Sequence, residues 1–421
     1  MRDSWRRIMA APLQGIRIVD MTTVMMGPYA TQILGDFGAD IVKVESPAGD
    51  SMRAVGPSRN PGMGALYLHA NRNKRSAVID LKAPEGRSIL LKLLEDADVF
   101  VFNARPQAMK RLGLGYEEVA AVNPGIIYAG AHGFGSDGPY AGRPAYDDLI
   151  QGLGAVPSLA MQAAGGGHPQ YAPVVLADRV VGLNLANVIL AALMHRTRTG
   201  EGQCVEVPMF ESIVQFVLGD HMGGRSFDPP LGGMGYGRLL AQHRRPYETR
   251  DGHVCVVVYT DRHWRAFFGL IGKADAFDRD PRLRDISART RHIAELYSMV
   301  ADELKTRSTA DWLDALARAD IPAMPLHTPE SLLEDPHLKA VDFFQTVEHP
   351  TEGRLLEMRM PSRWSTARRD HNTPAPRLGE HTDEILRSAG FSEAEIDRWL
   401  RDGTIAAPTD SVSAEGSADA A

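Results

Sequence analysis

Short apolar runs alternate with helically spaced segments along the first part of this chain. Ile16-Arg-Ile-Val-Asp20 reads as a buried strand, and 28–38 as a helix with proline in its first turn. Asp40-Ile-Val-Lys-Val-Glu45 predicts the next strand, and Ser76-Ala-Val-Ile-Asp-Leu81 another. A helix over 84–96 carries Ile89, Leu90, Leu93 and Leu94 on one face. Strand patterns follow at 97–103 and 125–130. Strand–helix–strand alternation of this kind implies a mostly parallel sheet covered by helices, an α/β domain of Rossmann-like design.

The glycine-rich stretch Leu231-Gly-Gly-Met-Gly-Tyr-Gly237 ends that regime. Beyond it, 247–259 reads as a hairpin turning at Asp251-Gly252, followed by helical patterns at 262–272, 289–307 and 311–318. This is a smaller α+β unit. Prolines between Pro322 and Pro336 mark the way back, with strand-like pieces near 345–348 and 355–360. A last helix over 392–400 opens with the capping box Ser392-Glu-Ala-Glu395. The expected organisation is a large domain over 12–220, a glycine-rich linker over 221–243 and a small domain over 244–328. A return segment over 329–404 would then complete the large domain, ahead of a disordered tail over 405–421.

Composition narrows the function. The 421 residues are 44% hydrophobic and carry a formal charge of −7, which gives no electrostatic case for nucleic acid or an anionic membrane. Cys204 and Cys255 lie far apart in strand-like runs, as expected of buried packing residues in a reducing cytoplasm. The first residues lead into no apolar signal region, and uninterrupted apolar stretches are too short to span a bilayer. His132, His168 and His243 have no partners at metal-ligand spacing, so no metal is expected. Met25-Met26-Gly27-Pro28 follows the first strand where a nicotinamide fingerprint would need GxGxxG. No Lys-Ser/Thr pair follows the later glycines, which excludes a Walker loop.

Asp178 stands out chemically. It is a lone acid in the apolar run from Tyr171 to Leu190, between an extended segment and a long helix. A carboxylate there loses hydration, a cost that helix-end amides or other donors must offset. Two readings stay open on the residues alone, a helix N-cap or a chemical group.

Ten segments in order decide how that acid is read. They include Val19-Asp-Met-Thr-Thr-Val-Met-Met-Gly-Pro28, Leu34-Gly-Asp-Phe-Gly-Ala-Asp-Ile-Val-Lys-Val-Glu-Ser-Pro47 and Asn73-Lys-Arg-Ser-Ala-Val-Ile-Asp-Leu-Lys82. Further along come Arg111-Leu-Gly-Leu-Gly-Tyr116, Asn123-Pro-Gly-Ile-Ile-Tyr128, Gly133-Phe-Gly-Ser-Asp-Gly-Pro139, Pro144-Ala-Tyr-Asp147 and Gly200-Glu-Gly-Gln-Cys-Val-Glu-Val207. Together they resemble the class III CoA-transferases, the carnitine-inducible/bile-acid-inducible type, from about Leu13 to Gly390.

The resemblance implies a Rossmann-like large domain built from both chain ends, a smaller inserted domain, and an interlocked homodimer. It also implies coenzyme A or acyl-CoA as substrate, with no tightly bound cofactor. Asp178 would be the catalytic aspartate, and Met25 and Met26 would lie near the thioester. Leu81 and Lys82 would lie near the nucleotide, Asn103 and Arg111 would make further CoA contacts, and Tyr146 and Asp147 would line the active site. Main-chain amides of Gly232, Gly233 and Gly235 are candidates for an oxyanion donor set, although Met234 and Tyr236 interrupt the family's denser glycines.

The implied reaction passes CoA to a free acid through an aspartyl anhydride and an aspartyl thioester. The alternatives are an α-methylacyl-CoA racemase and a non-catalytic CoA-binding protein. The racemase pattern places a histidine where this chain has Tyr146, a poor base at neutral pH. Retention of Asp178 argues against the scaffold. Met25, where oxalate-using members place a glutamine, points away from oxalate and formate. Arg244 and Arg245 are candidates to receive a dicarboxylate.

Overall fold

A computed structural model of the chain describes residues 11–366 and 372–408. Strands β1 (Arg17–Met21), β2 (Asp40–Glu45), β3 (Lys74–Ile79), β4 (Val99–Phe102), β5 (Ile127–His132) and β6 (Gln203–Pro208) form one parallel sheet. Their order is β3-β2-β1-β4-β5-β6. The chain therefore builds outward from β1 in one direction and then from its other side. Connections leaving the carboxyl ends of β1 and β4 diverge, which opens a crevice at that switch point.

Side chains alternate across the sheet. Val19, Val42, Val44, Ala77, Ile79, Phe100, Phe102 and Tyr128 share one apolar cluster. It is covered by Ile89, Leu90, Leu93 and Leu94 of the helix Gly86–Leu94, by Val119, and by Ile385, Leu386, Ile396 and Trp399 from the chain's far end. On the opposite face lie the helices Met26–Asp36 and Leu176–Thr199. These two meet closely, because a Cβ added at Gly182 would stand 2.7 Å from the Met26 carbonyl oxygen.

That second face is not purely apolar. Asp20 pairs in register with Lys43, and Lys43 with Ser76. Asp20 and Lys74 form a fully buried ion pair at 3.1 Å, and Lys43 and Asp50 another at 3.0 Å. Burial would raise the Asp20 carboxyl, but Lys74, Lys43 and two threonine hydroxyls outweigh it and hold it down to about 2. The same pairing explains why β3 starts at Lys74 rather than at Ser76, where the sequence pattern placed it. Lys74 looks like a loop residue in sequence but is a ladder residue opposite Ile41.

The described residues cluster into two compact units. One draws on Met1–Ile150, Val175–Ile213 and Phe344–Ala421, the other on Gln151–Val174 and Val214–Phe343. Several expected boundaries shift accordingly. Residues 151–174 cluster with the second unit, where the Gln151 side chain accepts from Ala172 N–H at 2.9 Å and donates to the Val174 carbonyl. The glycine-rich stretch and residues 329–343 also cluster there.

Within the second unit, Tyr247–Glu248 and His253–Val256 form the expected hairpin, joined by Ala323–Pro325 as a third antiparallel strand. Trp264, Phe267, Leu296, Trp312 and Leu316 fill its core. The helix expected over 289–307 is two helices, Ile286–Arg291 and Ile293–Leu304, which meet at His292.

Two further expectations need correction. Ile405–Ala406, placed in the tail by composition, form a strand antiparallel to β3, with Ile405 opposite Ile79. The remaining tail, 409–421, lies outside the described residues. Cys204 is exposed and Cys255 half-buried, since Cys204 sits on β6, the sheet's outer strand. By length and composition alone Leu176–Thr199 could cross a membrane, although Asp178, Arg179, Asn184 and Asn187 interrupt its apolar run as expected. Its Ala177, Val181, Leu185, Ile189 and Leu193 are buried, in a helix packed on β5, β6 and the helix Met26–Asp36.

Candidate active site

A cleft of about 520 Å³ opens at the carboxyl ends of the parallel strands, within the first unit. This size suits a small organic ligand. Thr23 and Val24 line it after β1, Asp80, Leu81 and Lys82 after β3, Asn103 and Arg105 after β4, and His132 to Phe134 at the end of β5. Arg143 and Tyr146 close one side. Lys82, Arg105 and Arg143 bring positive charge. The acids present are engaged: Asp80 accepts from Lys82 N–H at 2.9 Å, and Glu45 is bound to Arg53. The balance favours an anionic ligand.

Of the residues expected from sequence, Leu81, Lys82, Asn103 and Tyr146 line this cleft. Asn103 spans the switch point itself. Its side-chain oxygen accepts from Thr23 N–H at 3.1 Å, and its amide donates to the Thr23 carbonyl at 2.9 Å. Arg111 is exposed and lies off the cleft lining, which Arg105 and Leu112 occupy at either end of its helix. Met25 and Met26 are buried at 3% and 5% exposure, so core packing holds their side chains while Thr23 and Val24 face the cleft.

Asp178 is not an N-cap. Val175 takes that place without a side-chain cap, and the helix starts at Leu176, leaving Asp178 in the first turn. Only 9% of Asp178 is exposed. Its backbone N–H donates to Asp147 Oδ1 at 3.0 Å, so a neighbouring carboxylate satisfies one of the helix's open amides. Burial first, and the Asp147 charge second, push the Asp178 carboxyl up to about 7, against a weaker opposing pull from Arg179. Helix-start amides are thus outweighed at Asp178 by burial and the Asp147 charge. Arg179 itself lies over the Tyr29 ring, 4.3 Å from its centre.

The glycine-rich segment belongs to the second unit. Gly224 N–H donates to the Gly233 carbonyl at 2.9 Å, and Gly235 N–H to the His221 carbonyl at 2.8 Å. The Gly235 amide is thus spent on the end of the preceding helix, Met209–His221, and is not a free donor. Gly232 and Gly233 have open space around their Cα atoms.

Sequence reading missed other features of the cleft. His132 has a buried Nδ1 without a hydrogen-bond partner among the described residues, and burial lowers its pKa, partly offset by Glu206. Val24 adopts φ +69°, a left-handed conformation that β-branched residues rarely take. Asp20 and Lys43, charged residues inside apolar strand runs, were the available signal for the buried network beneath it. Among the described residues, no group of three or more His, Cys, Asp or Glu could hold a metal ion.

Comparison with known proteins gives the family. The profile of CoA-transferase family III matches residues 13–382. The succinate–glutarate CoA-transferase of Agrobacterium fabrum is 33% identical over 391 residues, covering 89% of this chain and 95% of the relative. A formyl-CoA:oxalate CoA-transferase of Rhodopseudomonas palustris is 31% identical over 434 residues, covering 97% and 100%. The crystal structure of a CaiB/BaiF family protein from Brucella suis superposes with a TM-score of 0.74 at 30% identity, over 90% of this chain and 100% of that one. A parallel sheet with its crevice at the switch point, a buried aspartate at a helix start and these matches lead to one assignment: the chain belongs to CoA-transferase family III and is a class III CoA-transferase.

Proposed function

We propose that Asp178 carries the acyl group, and then CoA, while CoA passes from an acyl-CoA to a free carboxylic acid. The Asp178 carboxylate attacks the thioester carbonyl, the C–S bond breaks, and CoA thiolate leaves a mixed anhydride. Thiolate then attacks the Asp178 carbonyl and expels the donor acid, giving an aspartyl thioester. The acceptor carboxylate attacks that thioester and releases thiolate again. Thiolate finally attacks the acceptor's carbonyl in the second anhydride, forming the new acyl-CoA and restoring Asp178. No net proton is consumed, and thioester energy is conserved.

The observation that carries this reading is the near-complete burial of Asp178. An anhydride survives only where water is kept away, and burial supplies that condition. The cations Lys82, Arg105 and Arg143 suit the phosphates of CoA. Dicarboxylic acids are the first acceptors to test, given the succinate–glutarate relative. Burial of Met25 removes the thioether from the cleft lining, so oxalate returns to the panel. The proposal extends to an interlocked homodimer with the large domain built from both chain ends. Leu183 and Met194, exposed at 48% and 58% on the helix Leu176–Thr199, are its candidate contacts. Light scattering at working concentration tests that assembly.

The deciding experiment mixes purified protein with succinyl-CoA and a panel of free acids, with new thioesters read by mass spectrometry. Asp178→Ala is expected to slow transfer by roughly 10⁴-fold or more. Transfer at the wild-type rate in that variant would sink the covalent-aspartate reading.

A further inference from the structure

The loop joining β1 to the helix Met26–Asp36 is held at every peptide group from Thr22 to the Val24 amide. Thr22 N–H donates to Asp20 Oδ1 at 2.9 Å, and the Thr22 carbonyl accepts from Lys43 Nζ at 2.8 Å. Asn103 binds both the N–H and the carbonyl of Thr23. Val24 N–H donates to Asp50 Oδ1 at 3.1 Å. Asp50 is in turn fixed from several sides. Its Oδ2 meets Lys43 Nζ at 3.0 Å, its Oδ1 accepts from Met52 N–H at 3.0 Å, and its own N–H donates to Glu45 Oε2. Both members of the Lys43–Asp50 pair are completely buried.

Burying such a pair is costly, and an apolar pair of similar volume is often as stable or more so. Stability is therefore a weak reason for charges here. Conformation is a better one, because Val24 stands at φ +69° and needs surrounding structure to keep it there. Thr23 and Val24, just after β1, also line the cleft at the switch point.

We propose that Asp50 is a positioning residue. Its buried side-chain oxygen, accepting from Val24 N–H, locks the left-handed turn at Val24 and so shapes the cleft wall that receives acyl-CoA. This rests on the reading of the cleft as the acyl-CoA site. Glycine takes the left-handed conformation freely, so a glycine at position 24 should make the lock dispensable.

The test removes the pair without stranding a buried charge. Lys43→Met/Asp50→Ala loses the acceptor for Val24 N–H, whereas Lys43→Met/Asp50→Asn keeps an amide oxygen there. Hydrogen exchange of the peptide spanning 21–26 and calorimetric affinity for acyl-CoA are compared with the thermal midpoint. The alanine double variant is expected to speed exchange in that peptide and weaken acyl-CoA binding about tenfold, a loss of roughly 1.4 kcal/mol. The asparagine double variant should bind within about threefold of wild type, roughly 0.65 kcal/mol. Adding Val24→Gly to the alanine double variant should restore most of the affinity.

Equal losses in the alanine and asparagine double variants, or no restoration by Val24→Gly, would overturn the proposal. So would a lower thermal midpoint with unchanged exchange in 21–26, and that readout serves even if affinity is lost through misfolding. A wild-type protein that takes up no acyl-CoA would instead refute the cleft assignment, leaving the exchange result to judge the lock by itself.

Discussion

A carboxylate proposed to attack a thioester is useful only when ionised, and the surroundings of Asp178 work against ionisation. Burial and the nearby Asp147 lift its pKa to about 7, so near neutral pH the protein holds comparable amounts of acid and carboxylate. The sign is definite. In the proposed mechanism only the carboxylate attacks, so kcat/KM for acyl-CoA in the free enzyme should rise with pH up to about 7 and then level off. Asp147→Asn removes the like charge but retains an oxygen able to accept from Asp178 N–H. The acid limb should then move to lower pH, because a cause that raises the pKa is gone. A pH–rate profile from about pH 5 to 9 on both proteins checks this, and an unmoved or raised midpoint would contradict it. The same shift affects stability. A carboxyl raised in the folded state binds its proton more tightly there, so its stabilising contribution is present at low pH and lost as pH rises from about 4 to about 7.

The long helix places that acid, and its position depends on a glycine that no periodicity argument singles out. Gly182→Ala would force a Cβ to within 2.7 Å of the Met26 carbonyl oxygen, so the two helices must part. We expect a stability loss of about 1–3 kcal/mol by urea denaturation, as for other overpacked contacts. Displacement of Asp178 should lower kcat by as much as ~10²-fold. A variant with both quantities unchanged would show that the approach is not needed. Elements such as β2 were legible because their alternation and flanking turns agree with where they pack. The capping box at Ser392 was legible for the same reason, since Ser392 and Glu395 lie close in sequence. What sequence could not show depends on distant partners. Lys74 belongs to a strand only because Asp20 neutralises it, and Ile405–Ala406 form a strand only because β3 offers an edge. Of the cleft lining, Leu81, Lys82, Asn103 and Tyr146 were legible. The hydrogen bond from Asp178 to Asp147, the buried placing of Met25 and the turn at Val24 were not, because each is set by chain folding rather than by local pattern.

At the scale of the whole molecule, one compact unit is assembled from both ends of the chain, and the cleft lies within it. Asp80 and Lys82, which present charge to the cleft, follow β3, whose outer edge is covered by the terminal strand Ile405–Ala406. Asp80 N–H donates to the Thr404 carbonyl at 2.8 Å, and Thr382 Oγ1 donates to the Ala406 carbonyl at 2.7 Å. Ile405 adds a fully packed side chain to the main apolar cluster at 1% exposure. A chain ending at Gly403 loses these contacts together. Relative to one ending at Pro408, it should lose about 2–5 kcal/mol of stability, the cost of emptying a site of isoleucine size. It should also bind CoA several-fold more weakly, because the backbone carrying Lys82 loses its anchor at Asp80. Raising salt should narrow that affinity difference, since screening weakens the cation–phosphate contacts that a well-placed Lys82 would make. Calorimetry of CoA binding at low and high salt, beside denaturation of the two chains, separates the effects. Reduced stability with equal CoA affinity at both salts would show that the chain's end serves the core alone and leaves the cleft to its first half.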